Sequence, residues 1–235
     1  MSGKTALPVA LLVVVFLAVS PTVKALAQNT CPGCSEPAKV VHPNGFGPQS
    51  YARWQPKTGL ADSSGTNAFS MLLVHSTPPT ITATARAVVA IEGFDGEAVG
   101  LSGVSGLSFF VRTTDPKGNP TPNECNLTTM LGPRFSIRWL DPILGDNQTF
   151  FHCGNLIEMP AVGTPTTAPN GSTYQQHVVN QALMFTLVPP TAIILSLAIL
   201  WDDPGSSHID NISVSDANVG CAPCTWTGPA DNGGN

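Results

Sequence analysis

The feature that most constrains this chain is its punctuation. Short segments of alternating apolar and polar residues are cut, again and again, by Gly- and Pro-bearing turns. Leu107, Phe109 and Val111 share one face, with Phe110 and Arg112 on the other. Phe135, Ile137 and Trp139 alternate with Arg134, Ser136 and Arg138. Ile81, Ala83, Ala85 and Ala87 alternate with Thr80, Thr82, Thr84 and Arg86. A period of two places successive side chains on opposite faces of a strand, one face buried and one wet. Ala38–His42, Phe69–His75, Thr149–His152, Ala182–Leu187, Ile193–Trp201 and His208–Val214 are further strand candidates. Between them lie Asp115-Pro-Lys-Gly-Asn, Asp141-Pro, Asn170-Gly and Asp203-Pro-Gly, all turn chemistry. No long helical period stands out. Residues 160–173 read as an exposed low-complexity loop, and Ser172–Asn180 as a short helix or an edge strand.

Composition narrows the class. Gly and Pro number 22 each in 235 residues, too many for a helical bundle, where each interior Gly costs about 1 kcal/mol and each Pro about 3. Charged residues are 11% and hydrophobic ones 42%, which excludes disordered and coiled-coil chains. With 15 acidic against 10 basic residues, no footprint for nucleic acid is present. The expectation is an all-β protein, two antiparallel sheets packed as a β-sandwich.

Residues 1–27 have the form of a secretory signal peptide: Lys4, an apolar run from Ala6 to Val19, and Ala25-Leu26-Ala27 before the expected cleavage. Cleavage leaves 208 residues, starting at Gln28. Two of the ten basic residues leave with the leader, so the formal charge moves from −5 to −7. The reading is therefore a secreted, extracellular protein with no membrane segment after cleavage. Its domain runs over 28–220, with a Cys-containing tail at 221–235 of which 225–235 is expected to fray. The apolar stretch Leu187–Trp201 is short for a span and contains Pro189-Pro190, so it reads as a buried strand.

Six cysteines remain: Cys31, Cys34, Cys125, Cys153, Cys221 and Cys224. An even number in an exported chain points to structural disulfides. Cys31-Pro-Gly-Cys34 and Cys221-Ala-Pro-Cys224 stay open to local closure, cross-pairing, a shared zinc, or, for the first, a redox role.

The most specific stretch is Ala192–Val214. An apolar strand reaches Leu200-Trp201-Asp202-Asp203, Pro204-Gly205-Ser206-Ser207 follows, and His208-Ile209-Asp210-Asn211-Ile212-Ser213-Val214 closes. This ending resembles that of extracellular jelly-roll domains of the carbohydrate-binding-module or galactose-binding-like type. The resemblance implies a jelly roll, with Asp210 as a ligand of a structural calcium. Glu36 is the only acidic residue before Asp62 that could join it. A second pattern, Cys125, Gly132-Pro133-Arg134-Phe135-Ser136-Ile137 and Phe150-Phe151-His152-Cys153-Gly154-Asn155-Leu156, resembles uncharacterised secreted bacterial proteins with the same ending. It implies pairing of Cys125 with Cys153. Together the two resemblances cover about residues 105–215, and they speak to fold more than to activity.

No H-x-H, H-E-x-x-H or G-x-S-x-G occurs, so zinc and serine hydrolase motifs are absent. The carboxylates Asp202-Asp203 with Asp210, and Glu92, Asp95 and Glu97, lack a spacing that fixes catalytic geometry. Sugar binding needs exposed aromatic platforms. Tyr51, Trp54, Tyr174 and Trp201 are the candidates, and Trp139 reads as core. The function expected is non-catalytic binding of a polysaccharide or cell-surface component. The alternatives are a surface-assembly protein without a small ligand, and a hydrolase using loop carboxylates.

Overall fold

The computed structural model describes residues 41–46, 50–61, 69–75, 86–91, 104–121, 124–129, 131–141, 143, 145–216 and 224–226. The leader, Cys31, Cys34, Cys221, Glu36 and the Glu92–Glu97 acids lie outside the described residues, as does the alternation at 80–85. Of Cys224 only the backbone is described.

Twelve strands and one helix form in chain order: β1 (Val41–Phe46), β2 (Ser50–Pro56), β3 (Phe69–His75), β4 (Arg86–Ile91), β5 (Val104–Thr114), β6 (Arg134–Asp141), β7 (Gly145–His152), β8 (Ala161–Thr167), β9 (Thr173–Val178), α1 (Gln181–Leu187), β10 (Ile193–Trp201), β11 (Gly205–Asp216) and β12 (Cys224–Trp226). They make two antiparallel sheets. The first runs β1-β4-β10-β6-β7; the second runs β2-β3-β11-β5-β9-β8, with β12 added along β11. The expected two-sheet, all-β architecture is present.

The alternating segments supply the core. Ala87, Val89, Ile91, Phe135, Ile137, Leu197, Ile199 and Trp201 of the first sheet share one buried cluster with Met71, Leu73, Leu107, Phe109, Val111, Ile209 and Ile212 of the second. Phe109 meets Phe135 across the layers, ring centroids 5.1 Å apart and tilted. Burying such rings is worth about 2–3 kcal/mol each. Cys125 and Cys153 form a disulfide with Cα atoms 5.7 Å apart, tying the turn after β7 to the segment before β6. In the chain-entropy account, a loop closed over 28 residues contributes about 3–4 kcal/mol.

Five segments depart from the sequence expectation. The buried strand expected over Leu187–Trp201 begins only at Ile193, because Leu187 ends the helix and Pro189-Pro190 cannot donate to a ladder. Ala182–Leu187 is helix, not strand: Asn180 caps it by accepting the Leu183 N–H (3.2 Å), and Ala, Leu and Met favour the turn that follows. A short apolar run cannot be told from a helix by period alone. The expected loop at 160–173 contains β8, whose residues are almost all exposed because it lies at the edge of the second sheet. Ser172–Asn180 contributes β9, an inner strand and not an edge. Residues 224–226 of the tail pair with Ile212–Val214 rather than fray.

The Asp-Asn step of the closing strand has a backbone cause. Ile209, Ile212 and Val214 all face the core, although Ile209 and Ile212 are three residues apart. The change of parity happens at Asn211, which sits at φ 44° where the register of β11 against β5 shifts. A bulge of this kind reverses which face the next residue takes. Asn is among the few non-glycine residues that adopt this left-handed geometry cheaply. Replacing Asn211 with Val should therefore lower unfolding stability by about 1–2 kcal/mol, whereas Asn211→Gly should be close to neutral; chemical denaturation of the two variants checks the order.

Candidate functional site

The outer face of the second sheet is divided into a covered half and an open half. The covered half lies under the turn that follows β2. Leu60 buries itself there with Ala168 and Tyr174, and Phe110 packs against them. Tyr174 donates its hydroxyl to the Thr58 carbonyl (2.5 Å). Burial of its ring pushes the phenol up. Gly59 is required by this fit: a Cβ there would lie 1.9 Å from the Phe69 carbonyl oxygen and 2.6 Å from Asp210 Oδ2.

Asp210 anchors the turn. Its Oδ2 accepts the Leu60 N–H (2.6 Å) and its Oδ1 accepts the N–H of Asn211 (2.8 Å). Burial raises its carboxyl to about 8, against the pull of those two donors. The calcium expectation does not fit this setting. Both oxygens face N–H donors, and among the described residues no three His, Cys, Asp or Glu side chains gather to hold a metal. A cation needs several oxygen ligands converging on it.

The open half is a depression of about 790 Å³. Its floor is a row in register across four strands. Arg53 of β2 stands opposite Leu72 of β3, and Leu72 opposite His208 of β11. Beyond His208 comes Arg112 of β5, its Nη1 3.5 Å from His208 Nε2. Three strand spacings make the row about 14 Å long. Gln55, Val74, His75, Gly205 and Ser206 complete the walls. His75 Nδ1 lies 3.0 Å from Ser50 Oγ, a buried pair.

Glu124, which no sequence pattern marks, shapes this row. It is 3% exposed, and its side chain enters the gap between the ends of β5 and β11. Oε2 accepts the His208 N–H at 2.6 Å, the bond a neighbouring strand would otherwise make. Oε1 accepts from Arg112 Nε at 2.8 Å, and Arg112 Nη2 closes a second contact on it. His208 Nδ1 stands 3.5 Å from Oε1, too far for an ordinary hydrogen bond, and has no other partner among the described residues. One buried carboxylate thus satisfies a strand N–H and a guanidinium together.

The proposed aromatic platforms separate sharply. Tyr51 is 39% exposed and faces outward from edge strand β2, two residues from Arg53. Arg53 lies over its ring, 5.4 Å from the centroid. Trp54 points the other way and packs partly buried against the core, its Nε1 without a partner among the described residues. Trp201 and Tyr174 are fully buried and offer no face to a ligand, because each is needed to fill its layer. Trp139 is core, as expected. The basic stripe of β6 is neutralised: Arg134 pairs with Asp202, and Arg138 with Asp146. Asp203 accepts the Gly132 N–H (2.8 Å), and burial raises its carboxyl. Neither Asp202 nor Asp203 lines the depression.

Two variants test these roles. Between pH about 4 and 8 the folded chain holds a proton on Asp210 that the unfolded chain has lost, so this residue makes stability fall as pH rises through that window. Asp210→Asn should flatten that slope; denaturation midpoints at both ends of the window, equal in slope for variant and parent, would refute it. Glu124→Gln should cost about 3 kcal/mol, because it leaves the Arg112 guanidinium without its counter-charge. Urea unfolding measures the loss.

No family model, no curated protein and no solved structure matches this chain.

Proposed function

We propose that the chain is a secreted, non-catalytic jelly-roll module that binds an extracellular polymer, a glycan, along the open half of the second sheet. The observation that carries the reading is the depression whose floor is the cross-strand row Arg53–Leu72–His208–Arg112: Leu72 and His208 are buried in it, and Arg53 at its end is exposed, as is the ring of Tyr51. An extended, shallow floor edged by an aromatic ring and planar hydrogen-bonding groups suits a chain lying across it better than a small compact ligand.

Binding is favoured over hydrolysis by the state of the carboxylates. A glycosidase needs two of them facing the substrate. None of the described residues lining the depression is Asp or Glu, and Glu124 beside it is committed to Arg112 and the His208 N–H. The jelly-roll reading draws support from the interleaving of the last strands. β10 lies between β4 and β6, and β11 between β3 and β5, as when a long hairpin is rolled into two sheets. Export draws support from the leader and from the Cys125–Cys153 disulfide. The surface-assembly alternative would need a sheet edge free to accept a strand. β8 is such an edge, but Pro165 and the left-handed Gly163 interrupt it.

The test is retention on a panel of insoluble and soluble polysaccharides. The parent should be retained on at least one, Tyr51→Ala should weaken retention several-fold, and Ser206→Trp, which fills the depression, should abolish it. Retention on none of the panel, or retention indifferent to both variants, overturns the proposal.

A further inference from the structure

We infer that the polymer carries anionic groups, carboxylate or sulfate, and that Arg53 is the residue that binds them; this rests on the polymer-binding reading above. The chain has five arginines, of which Arg86 lies on β4 in the first sheet, away from the row. Arg112, Arg134 and Arg138 each hold a carboxylate: Glu124, Asp202 and Asp146. Arg53 is exposed and has no carboxylate partner among the described residues. Its contact is with the Tyr51 ring, 5.4 Å away. A cation–π approach of this kind holds the guanidinium near the ring while using none of its N–H groups, and that N–H fork matches a carboxylate or sulfate edge.

The surroundings point the same way. None of the described residues lining the depression is acidic, and the polar side chains Gln55, Ser206 and His208 in it carry no negative charge. The Arg112 charge is offset by Glu124, so among the described residues the row presents one positive charge without a carboxylate partner, at its Arg53 end. The chain as a whole is acidic, with net charge −5 and pI near 5.4. General electrostatics therefore repels a polyanion, and attraction must be local. At physiological salt the repulsion is damped beyond about 8 Å, so a single well-placed guanidinium suffices to set the preference.

The experiment uses the full secreted chain against immobilised polygalacturonate, dextran sulfate and uncharged dextran, with polyglutamate as a non-glycan polyanion. Binding to polygalacturonate or dextran sulfate should exceed binding to dextran, and the stronger of the two identifies the anionic group. Arg53→Gln should weaken that binding by about tenfold, the worth of one charge-assisted contact. Arg138→Gln removes the same charge from the other sheet and should change nothing. A tenfold rise in NaCl should weaken binding by about tenfold or less, as for one ion pair. Equal binding to dextran and to the charged polysaccharides, equal loss in both arginine variants, or tighter binding to polyglutamate than to either polysaccharide overturns the inference, while retention on dextran that Ser206→Trp abolishes leaves polymer binding standing. Failure to bind any polysaccharide overturns both.

Discussion

Strand β11 has to serve three neighbours at once, and the rest of the second sheet depends on how it does so. It pairs with β3 through Gly205–Ile209, with β5 from Ile209 onward, and with β12 through Ile212–Val214. Its inner residues must also meet the first sheet. The left-handed Asn211 reconciles these demands by shifting parity, so that Ile209 and Ile212 both reach the core. The same step leaves Asp210 outward beneath the turn after β2. There its side chain holds Leu60 down over Phe110 and Tyr174. One irregular residue thus decides both the inner packing and which half of the outer face is covered.

The open half follows from a second substitution of side chain for backbone. Where β5 leaves β11, the His208 N–H would be an unpaired buried donor, at a cost of about 1–3 kcal/mol. Glu124 fills the gap and draws Arg112 in with it. The Cys125–Cys153 disulfide, one residue further on, pins the segment that delivers Glu124. The charge of Arg112 is consumed in the scaffold, which leaves Arg53, on the edge strand, as the cation at the row without a carboxylate partner among the described residues.

Much of the fold was legible because one face of each central strand is buried and the other is not. Phe135, Ile137 and Trp139, or Leu107, Phe109 and Val111, state their burial by period alone. β2 was harder. Tyr51 and Arg53 face out while Ala52 and Trp54 face in, so large aromatic residues lie on both faces and the alternation is blurred. The aromatic candidates therefore divide: Tyr51 is on the surface, Trp54 is turned inward, and Tyr174 lies under a turn that covers it.

The architecture is written in the chain: antiparallel strands, turns at Gly and Pro, and a core of alternating apolar residues are local consequences of side-chain period and backbone geometry. The fate of the polar groups is set by long-range contacts. Asp210 resembled a metal ligand and is an anchor for a turn; Glu124 carried no signal and organises the open face; Arg53 and Arg112, alike in sequence, differ because Arg112 meets a carboxylate 12 residues away and Arg53 meets none among the described residues. Whether a charge is satisfied depends on what the fold brings within about 3 Å of it, and no period in the chain encodes that distance.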